Sequence, residues 1–246
     1  MNYTVSINGI ETSVSYSDEN INDIFIPLLK KMKDMQERSG RRILAMLAAP
    51  PGAGKSTLLS FLKYLSDNTK DLKSVAVIGM DGFHRYQDYL MSHTTKRDGQ
   101  DIPMIDVKGA PETFDLERLL EKVKKVADGE VCGWPDYNRM THNPQEDAIL
   151  VDSDIVILEG NYLLLQDDGW DILKEYADIT ISIYADEDLL YKRLLDRKMK
   201  SGKSIEDAQK FVNYSDMYNV RTVLERSCKA DIQLKVLEDN SYLLLK

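Results

Sequence analysis

Leu47-Ala48-Ala49-Pro50-Pro51-Gly52-Ala53-Gly54-Lys55-Ser56-Thr57 is the stretch whose reading decides the fold. The apolar run before it, Ile43 to Ala48, predicts a buried strand. Leu58, Leu59, Leu62 and Leu65 after it fall on one face of an amphipathic helix. Strand, glycine loop, Gly54-Lys55-Ser56 and helix together read as a phosphate-binding loop. In such a loop successive backbone N–H groups turn inward at the positive end of the following helix, where they can cradle nucleotide phosphates. Pro51, Gly52, Ala53, Gly54, Lys55, Ser56 and Thr57 are therefore the candidate nucleotide-binding residues. Lys55 would reach the outer phosphates and the Ser56 hydroxyl would ligate Mg²⁺. The motif usually opens with Gly; here Ala49 holds that place.

Downstream, Ser74 to Gly79 reads as a second buried strand, ending at Met80-Asp81-Gly82-Phe83-His84. A carboxylate just past the C-terminal end of a parallel strand lies in the crevice where α/β sheets bind ligands, on the same edge as the phosphate loop. Asp81 is thus placed to accept a proton from a hydroxyl receiving the γ-phosphoryl group. Asp154 to Gly160 supplies a third strand with Glu159 at its far end, the place of the second acidic motif that serves Mg²⁺. Ser56 and Glu159 are the candidate metal ligands. Strands follow at 180–185 and 231–236, and Glu238-Asp239-Asn240 turns the chain into a last one, Tyr242 to Leu245. Strands alternating with helices predict an α/β fold with a mainly parallel, five-stranded sheet covered on both faces.

The front of the chain is different. Residues 3–16 alternate around Asn8-Gly9, a hairpin signal. Ile21, Ile24, Phe25, Leu28, Leu29, Met32 and Met35 follow at helical spacing, with Pro27 marking a kink or a start. Residues 1–39 are therefore read as a hairpin-and-helix extension packed on a domain spanning 40–246.

Two polar stretches interrupt the periodic pattern. Residues 86–113 read as irregular, and within them Thr95-Lys96-Arg97-Asp98 imitates the guanine-reading motif of GTPases; it follows no buried strand and comes too early, so it is a decoy. Trp134 to Asn143 reads as a loop able to hold a small hydroxylated substrate through an aromatic face, the Arg139 fork and His142. Helices are predicted at 115–129, capped by Thr113 or Asp115, at 187–201 and from Ser204 towards Lys229. The 187–201 helix is the most basic, and Arg193 and Arg197 share a face from which a lid, at about 186–203, could neutralise a transferring phosphoryl group.

A net charge of −9 argues against nucleic acid as the main partner, because no basic stripe meets a phosphate backbone. Cys132 and Cys228, far apart, are expected to be reduced thiols. With no signal pattern and no membrane-spanning run, the expectation is a cytoplasmic protein, with no membrane partner. A homodimer is compatible with the sequence, which does not address assembly.

In combination and order, Ala49–Thr57, Asp81-Gly82-Phe83-His84, Lys108–Asp115, Tyr137-Asn138-Arg139, Ile157–Tyr162 and the Arg193/Arg197 pair resemble the phosphoribulokinase/uridine kinase/pantothenate kinase family of P-loop kinases. The resemblance covers about residues 40–237 and is closest to its bacterial nucleoside/nucleotide kinase-like, or fructose transport system kinase, group. It implies the fold of P-loop nucleoside triphosphate hydrolases and Mg²⁺-dependent transfer of the γ-phosphoryl of ATP to a small-molecule alcohol: a nucleoside, a pantothenate-like compound or a sugar. It also implies catalytic roles for Asp81, Lys55, Glu159, Arg193 and Arg197, with Lys108, Tyr137 and Arg139 towards the acceptor; His84, just past Asp81, reads as an acceptor contact or a cap of its loop, and His142 as a further acceptor contact. The other function class open to the sequence is an ATP-binding regulatory or assembly protein with no phosphoryl acceptor.

Overall fold

The computed structural model describes every residue except Asn8, Asp98, Asp168 and Lys246. The chain opens on a hairpin, β1 (Asn2–Ile7) against β2 (Ile10–Ser15), paired antiparallel from Asn2 opposite Ser15 to Ile7 opposite Ile10. The expected Asn8-Gly9 turn includes Asn8, which is outside the described residues. Helical backbone begins at residue 18 and passes through a wide π-type turn, Asn20–Phe25, into α1 (Ile26–Ser39), so Pro27, which cannot donate to the turn before it, lies just after the π-type segment. Gly40, left-handed at φ 65°, ends the helix.

β3 (Ile43–Ala48) then runs into the glycine loop and α2 (Lys55–Asn68). β4 (Ala76–Gly79) ends in a single 3-10 turn, Met80–Phe83. The 86–113 stretch is not irregular, as its polarity suggested. It folds as α3 (Gln87–Ser92), a small hairpin of β5 (Thr94–Arg97) and β6 (Gln100–Pro103), and two 3-10 turns. The imitation GTPase motif forms one arm of that hairpin, apart from the main sheet; its Asp98 lies outside the described residues. α4 (Leu116–Ala127) is capped by the Asp115 side chain, which accepts from the Arg118 N–H.

The second polar stretch is also ordered. It belongs to a hairpin of β7 (Cys132–Asn138) and β8 (Asn143–Val151), with a register shift between Trp134 and Asp136. Trp134 is buried, packs edge-on against Phe83 and donates to the Gly79 carbonyl, so it is core and not a substrate-facing aromatic. β9 (Ile155–Gly160), β10 (Ile179–Tyr184), α5 (Glu187–Lys200), α6 (Ile205–Phe211), α7 (Met217–Arg226), β11 (Ile232–Val236) and β12 (Tyr242–Leu245) complete the chain. The expected long helix from Ser204 runs unbroken through α6 and α7 to Arg226, widened by a π-type turn at Val212–Asp216.

The main sheet has the order β12-β11-β10-β3-β9-β4. Its five expected strands pair in parallel, and β12 adds a sixth, antiparallel edge strand. Alternation along β3 divides the interior. Ala45 and Leu47 face a core shared with Phe25, Leu29 and Met32 of the front segment and Leu58, Phe61 and Leu62 of α2. Leu44, Met46 and Ala48 face the other core, with Leu119, Val123 and Val126 of α4, Trp134 and Trp170. Both faces of the sheet are thus covered, which is why β3 reads as unbroken apolar sequence. Among the described residues no helix is long and apolar enough to cross a membrane, and both cysteines are free.

Candidate active site

Parallel pairing sets the site. Glu159 is opposite Leu47 of β3 on one side and Gly79 of β4 on the other. The ends of β3, β9 and β4 therefore stop level, bringing the glycine loop, Glu159 and Asp81 to one edge.

In the loop, Gly52 and Gly54 both hold φ near 86°, a left-handed conformation that side chains rarely adopt. Gly52 also sits under α5: a Cβ there would lie 3.1 Å from Leu194 Cγ and 3.3 Å from the Leu190 carbonyl. Lys55 donates to the Ala49 carbonyl at 3.1 Å and to Asn161 Oδ1 at 2.6 Å. Burial pushes its ammonium pKa down, against the opposing pull of the Glu159 and Asp81 charges. The Ser56 hydroxyl donates to Glu159 Oε1 at 3.2 Å. Burial raises the Glu159 carboxyl above the ordinary range, and Lys55 opposes that shift. Asn161 was absent from the candidates drawn from the sequence. Its place directly after Glu159-Gly160, at the same strand end, was the available signal.

Asp81 occupies the turn after β4, half-exposed, with Arg139 Nη2 at 3.8 Å. The turn can form only because residue 82 is glycine: a Cβ there would fall 2.1 Å from the Pro135 carbonyl oxygen of β7. The Asp81 carbonyl accepts from the His84 backbone N–H at 3.2 Å and from its ring Nδ1 at 2.8 Å. Since a carbonyl only accepts, the proton is on Nδ1, leaving Nε2 as an acceptor in the neutral ring. Burial favours that neutral ring by lowering its pKa. His84 stacks near Phe114 at 4.0 Å and Tyr137 at 5.0 Å.

The remaining acceptor candidates gather on the same side. Lys108 Nζ donates to the His142 carbonyl at 2.8 Å and lies 5.0 Å from the centre of the Tyr137 ring, with Arg139 5.8 Å from it. His142 contributes this backbone oxygen while its residue is exposed. The two arginines of α5 separate. Arg193 is held at the β11–β12 turn, donating to the Leu237 carbonyl at 3.0 Å and Asn240 Oδ1 at 2.8 Å, close to Gly54. Arg197 is exposed and within electrostatic reach of Lys55.

The donors at Ser56 and Glu159 are hard oxygens, and few of them, as suits a Mg²⁺ that takes most of its ligands from water and phosphates. Among the described residues no cluster of three or more His, Cys, Asp or Glu forms a protein-only metal cage.

Residues 44–242 match the sequence pattern of the Phosphoribulokinase / Uridine kinase family. The chain is 37% identical to the uncharacterised protein YggC of Escherichia coli K12, over 98% of both chains. It is 30% identical to a Schizosaccharomyces pombe protein provisionally described as a uridine kinase, covering 80% of this chain and 84% of that one. Among solved structures it resembles one from Silicibacter sp. TM1040, provisionally described as a fructose transport system kinase. That match has a TM-score of 0.69 and 29% identity, covering 78% of this chain and 89% of the other.

Proposed function

The chain belongs to the phosphoribulokinase/uridine kinase family of ATP-dependent P-loop kinases, and from that premise we propose that it transfers the γ-phosphoryl group of ATP to a hydroxyl of a small molecule at the Asp81 edge of the sheet. The observation that carries this reading is the level alignment of Leu47, Glu159 and Gly79 in three adjacent strands, which brings the Lys55 loop, Glu159 and Asp81 to one edge with Arg139 beside the Asp81 carboxylate. A protein that only senses nucleotide has no use for the half-exposed carboxylate and the tyrosine–lysine–arginine surface opposite its phosphate loop.

In this reading the loop N–H groups and Lys55 hold the β- and γ-phosphates, and Asn161 holds the Lys55 ammonium in line. Asp81 accepts the proton as the acceptor oxygen bonds to the γ-phosphorus and the bond to the β–γ bridging oxygen breaks. The products are ADP and the phosphate monoester, with the proton released to solvent. Neutral His84, held by the Asp81 carbonyl, offers Nε2 to a second hydroxyl of the acceptor. Ser56 and Glu159 would hold Mg²⁺, which when bound neutralises charge on the phosphates. Arg197, open and near Lys55, is the α5 arginine free to approach the transferring group, whereas Arg193 fastens the helix to the C-terminal turn.

The test is ADP release, coupled to a spectroscopic reporter, over nucleosides, pantothenate analogues and ketoses with ATP, each with and without Mg²⁺. Lys55→Ala is expected to lower kcat by about 10²–10³-fold, and Asp81→Asn by about 10²–10⁴-fold. Near-normal turnover in Asp81→Asn would remove it as the base. Hydrolysis that no alcohol stimulates would replace transfer by nucleotide sensing.

A further inference from the structure

Glu159, Gly160, Asn161 and Tyr162 are consecutive, and each reaches a different part of the site. The Glu159 carboxylate accepts from Ser56, and Asn161 Oδ1 accepts from Lys55. Gly160 lies against the residue before Asp81: a Cβ on it would fall 2.3 Å from Met80 Sδ. Tyr162 reaches towards the acceptor side. Its hydroxyl donates to the Gly109 carbonyl at 2.6 Å, and Gly109 follows Lys108.

Tyr162 is fully buried, with its ring edge-on to Phe114 at 5.8 Å and to Trp170 at 5.5 Å. Its backbone carbonyl accepts from the Leu165 N–H at 3.0 Å, and Leu163, Leu164 and Leu165 are buried, so the segment is anchored beyond the tyrosine as well as before it. A buried phenol needs a partner for its O–H. The partner it has belongs to an unusual peptide. Gly109 holds φ 104°, and its N–H donates to Thr113 Oγ1 at 3.0 Å. Side chains thus hold both polar groups of Gly109, and among the described residues no backbone N–H donates to its carbonyl.

Lys108 is the cation that this peptide carries. Its Nζ reaches across to the β7–β8 hairpin, where it donates to the His142 carbonyl at 2.8 Å beside the Tyr137 ring. The chain leading to it is a single 3-10 turn, Met104–Val107, which belongs to no strand of the main sheet. Strand register therefore does not set the distance from Lys108 to the phosphate loop. The Tyr162 hydroxyl supplies a tie that register does not.

We propose that Tyr162 is a positioning residue: through the Gly109 carbonyl its hydroxyl fixes Lys108, and with it the acceptor, relative to the phosphate loop that Glu159 and Asn161 engage from the same segment. This rests on the kinase reading of the Asp81 edge. Donor and acceptor are then both placed from one stretch of four residues. Phosphoryl transfer needs the reacting atoms about 3–3.5 Å apart, and a misplacement of about 1 Å can cost about 100-fold in rate. Removing one oxygen, with the ring left in place, frees the peptide to turn and carries Lys108 with it.

The experiment has two arms. In the first, two-substrate kinetics by ADP release compare the parent with Tyr162→Phe, which keeps the ring packing. The loss expected is about 10–100-fold in kcat/KM for the acceptor, with KM for ATP within twofold. In a Lys108→Met background Tyr162→Phe should cost less than threefold, because the group it positions is gone. Gly109→Ala disturbs the same peptide while leaving Tyr162 intact, and should reproduce the acceptor-selective loss. In the second arm, which needs no turnover, reductive methylation of lysines is timed by mass spectrometry. Tyr162→Phe should speed labelling of Lys108 at least fivefold, with Lys122, bonded to the Gly133 carbonyl, as the unchanged control. Equal losses towards ATP and acceptor, or a Tyr162→Phe cost undiminished in Lys108→Met, overturn the positioning role and leave the kinase reading standing. Unchanged labelling of Lys108 also overturns it. Faster labelling in a protein that turns over no alcohol overturns the kinase reading and keeps the tie between Tyr162 and Lys108. Neither turnover nor faster labelling overturns both.

Discussion

At the scale of single residues, the site depends on two close approaches that no sequence pattern displays. Gly82 is the sharper one. A methyl group at this position meets the backbone of Pro135, which cannot rotate away. Gly82→Ala is therefore expected to cost about 3 kcal/mol, at the upper end for overpacking, and to displace Asp81. Chemical denaturation and ADP-release kinetics on the same sample should fall together; loss of neither would mean that β7 yields. Glu159 gives a pH signature. Its folded-state carboxyl titrates above its unfolded value, so the ionised group costs stability above that folded pKa, and the cost is relieved as pH falls through it. In the absence of metal and nucleotide, Glu159→Gln should melt above the parent at neutral pH, with the gap closing on acidification through the carboxylate range. A gap that widens on acidification would reverse the assignment. The gathering of Lys55, Ser56, Asp81 and Glu159 at one edge of the sheet was legible in the sequence because each belongs to a short motif that follows or ends a strand. The contact of Lys55 with Asn161 was not, because it joins positions far apart in the chain.

At the scale of elements, local periodicity located the strands and helices well where one face is buried, and poorly where it is not. The 86–113 and 134–143 stretches are polar because their hairpins stand off the main sheet, so alternation fades and they read as loops. Trp134 misled for a related reason. Among polar neighbours it suggested a binding surface, yet it points into the core beneath the Asp81 turn. α5 was expected to act as a lid through two arginines on one face. In the fold it bears on the loop through Leu190 and Leu194, with Arg193 as its fastening. Leu194→Ala should destabilise by about 2–4 kcal/mol and, by loosening the contact over Gly52, raise KM for ATP more than KM for the acceptor. Equilibrium unfolding and two-substrate kinetics would check this; an effect confined to the acceptor would detach α5 from the nucleotide side.

For the whole molecule, the front segment is the open question of organisation. Residues 1–39 look like an extension in sequence, but Tyr16, Phe25, Leu28, Leu29 and Met32 share one core with α2 and the sheet, and Asn20 exchanges hydrogen bonds of 2.8 Å with the backbone of Tyr242 at the far end of the chain. Each such side chain contributes about 1.5–3 kcal/mol of burial, against a total stability of about 5–15 kcal/mol. A chain beginning at residue 40 is expected to be insoluble or to lack a cooperative melting transition. Soluble expression with a transition within a few degrees of the parent would make the segment a true appendage. The sequence by itself determined the α/β class, the phosphate loop and the strand ends that bear acids, since buried parallel strands and glycine loops are written in consecutive residues. Only the tertiary structure decided that Glu159 stands level with both Leu47 and Gly79, that Gly82 lies against β7, and that Trp134 is buried beneath the Asp81 turn. Those facts are set by strand register and by packing between distant segments, which local periodicity does not encode.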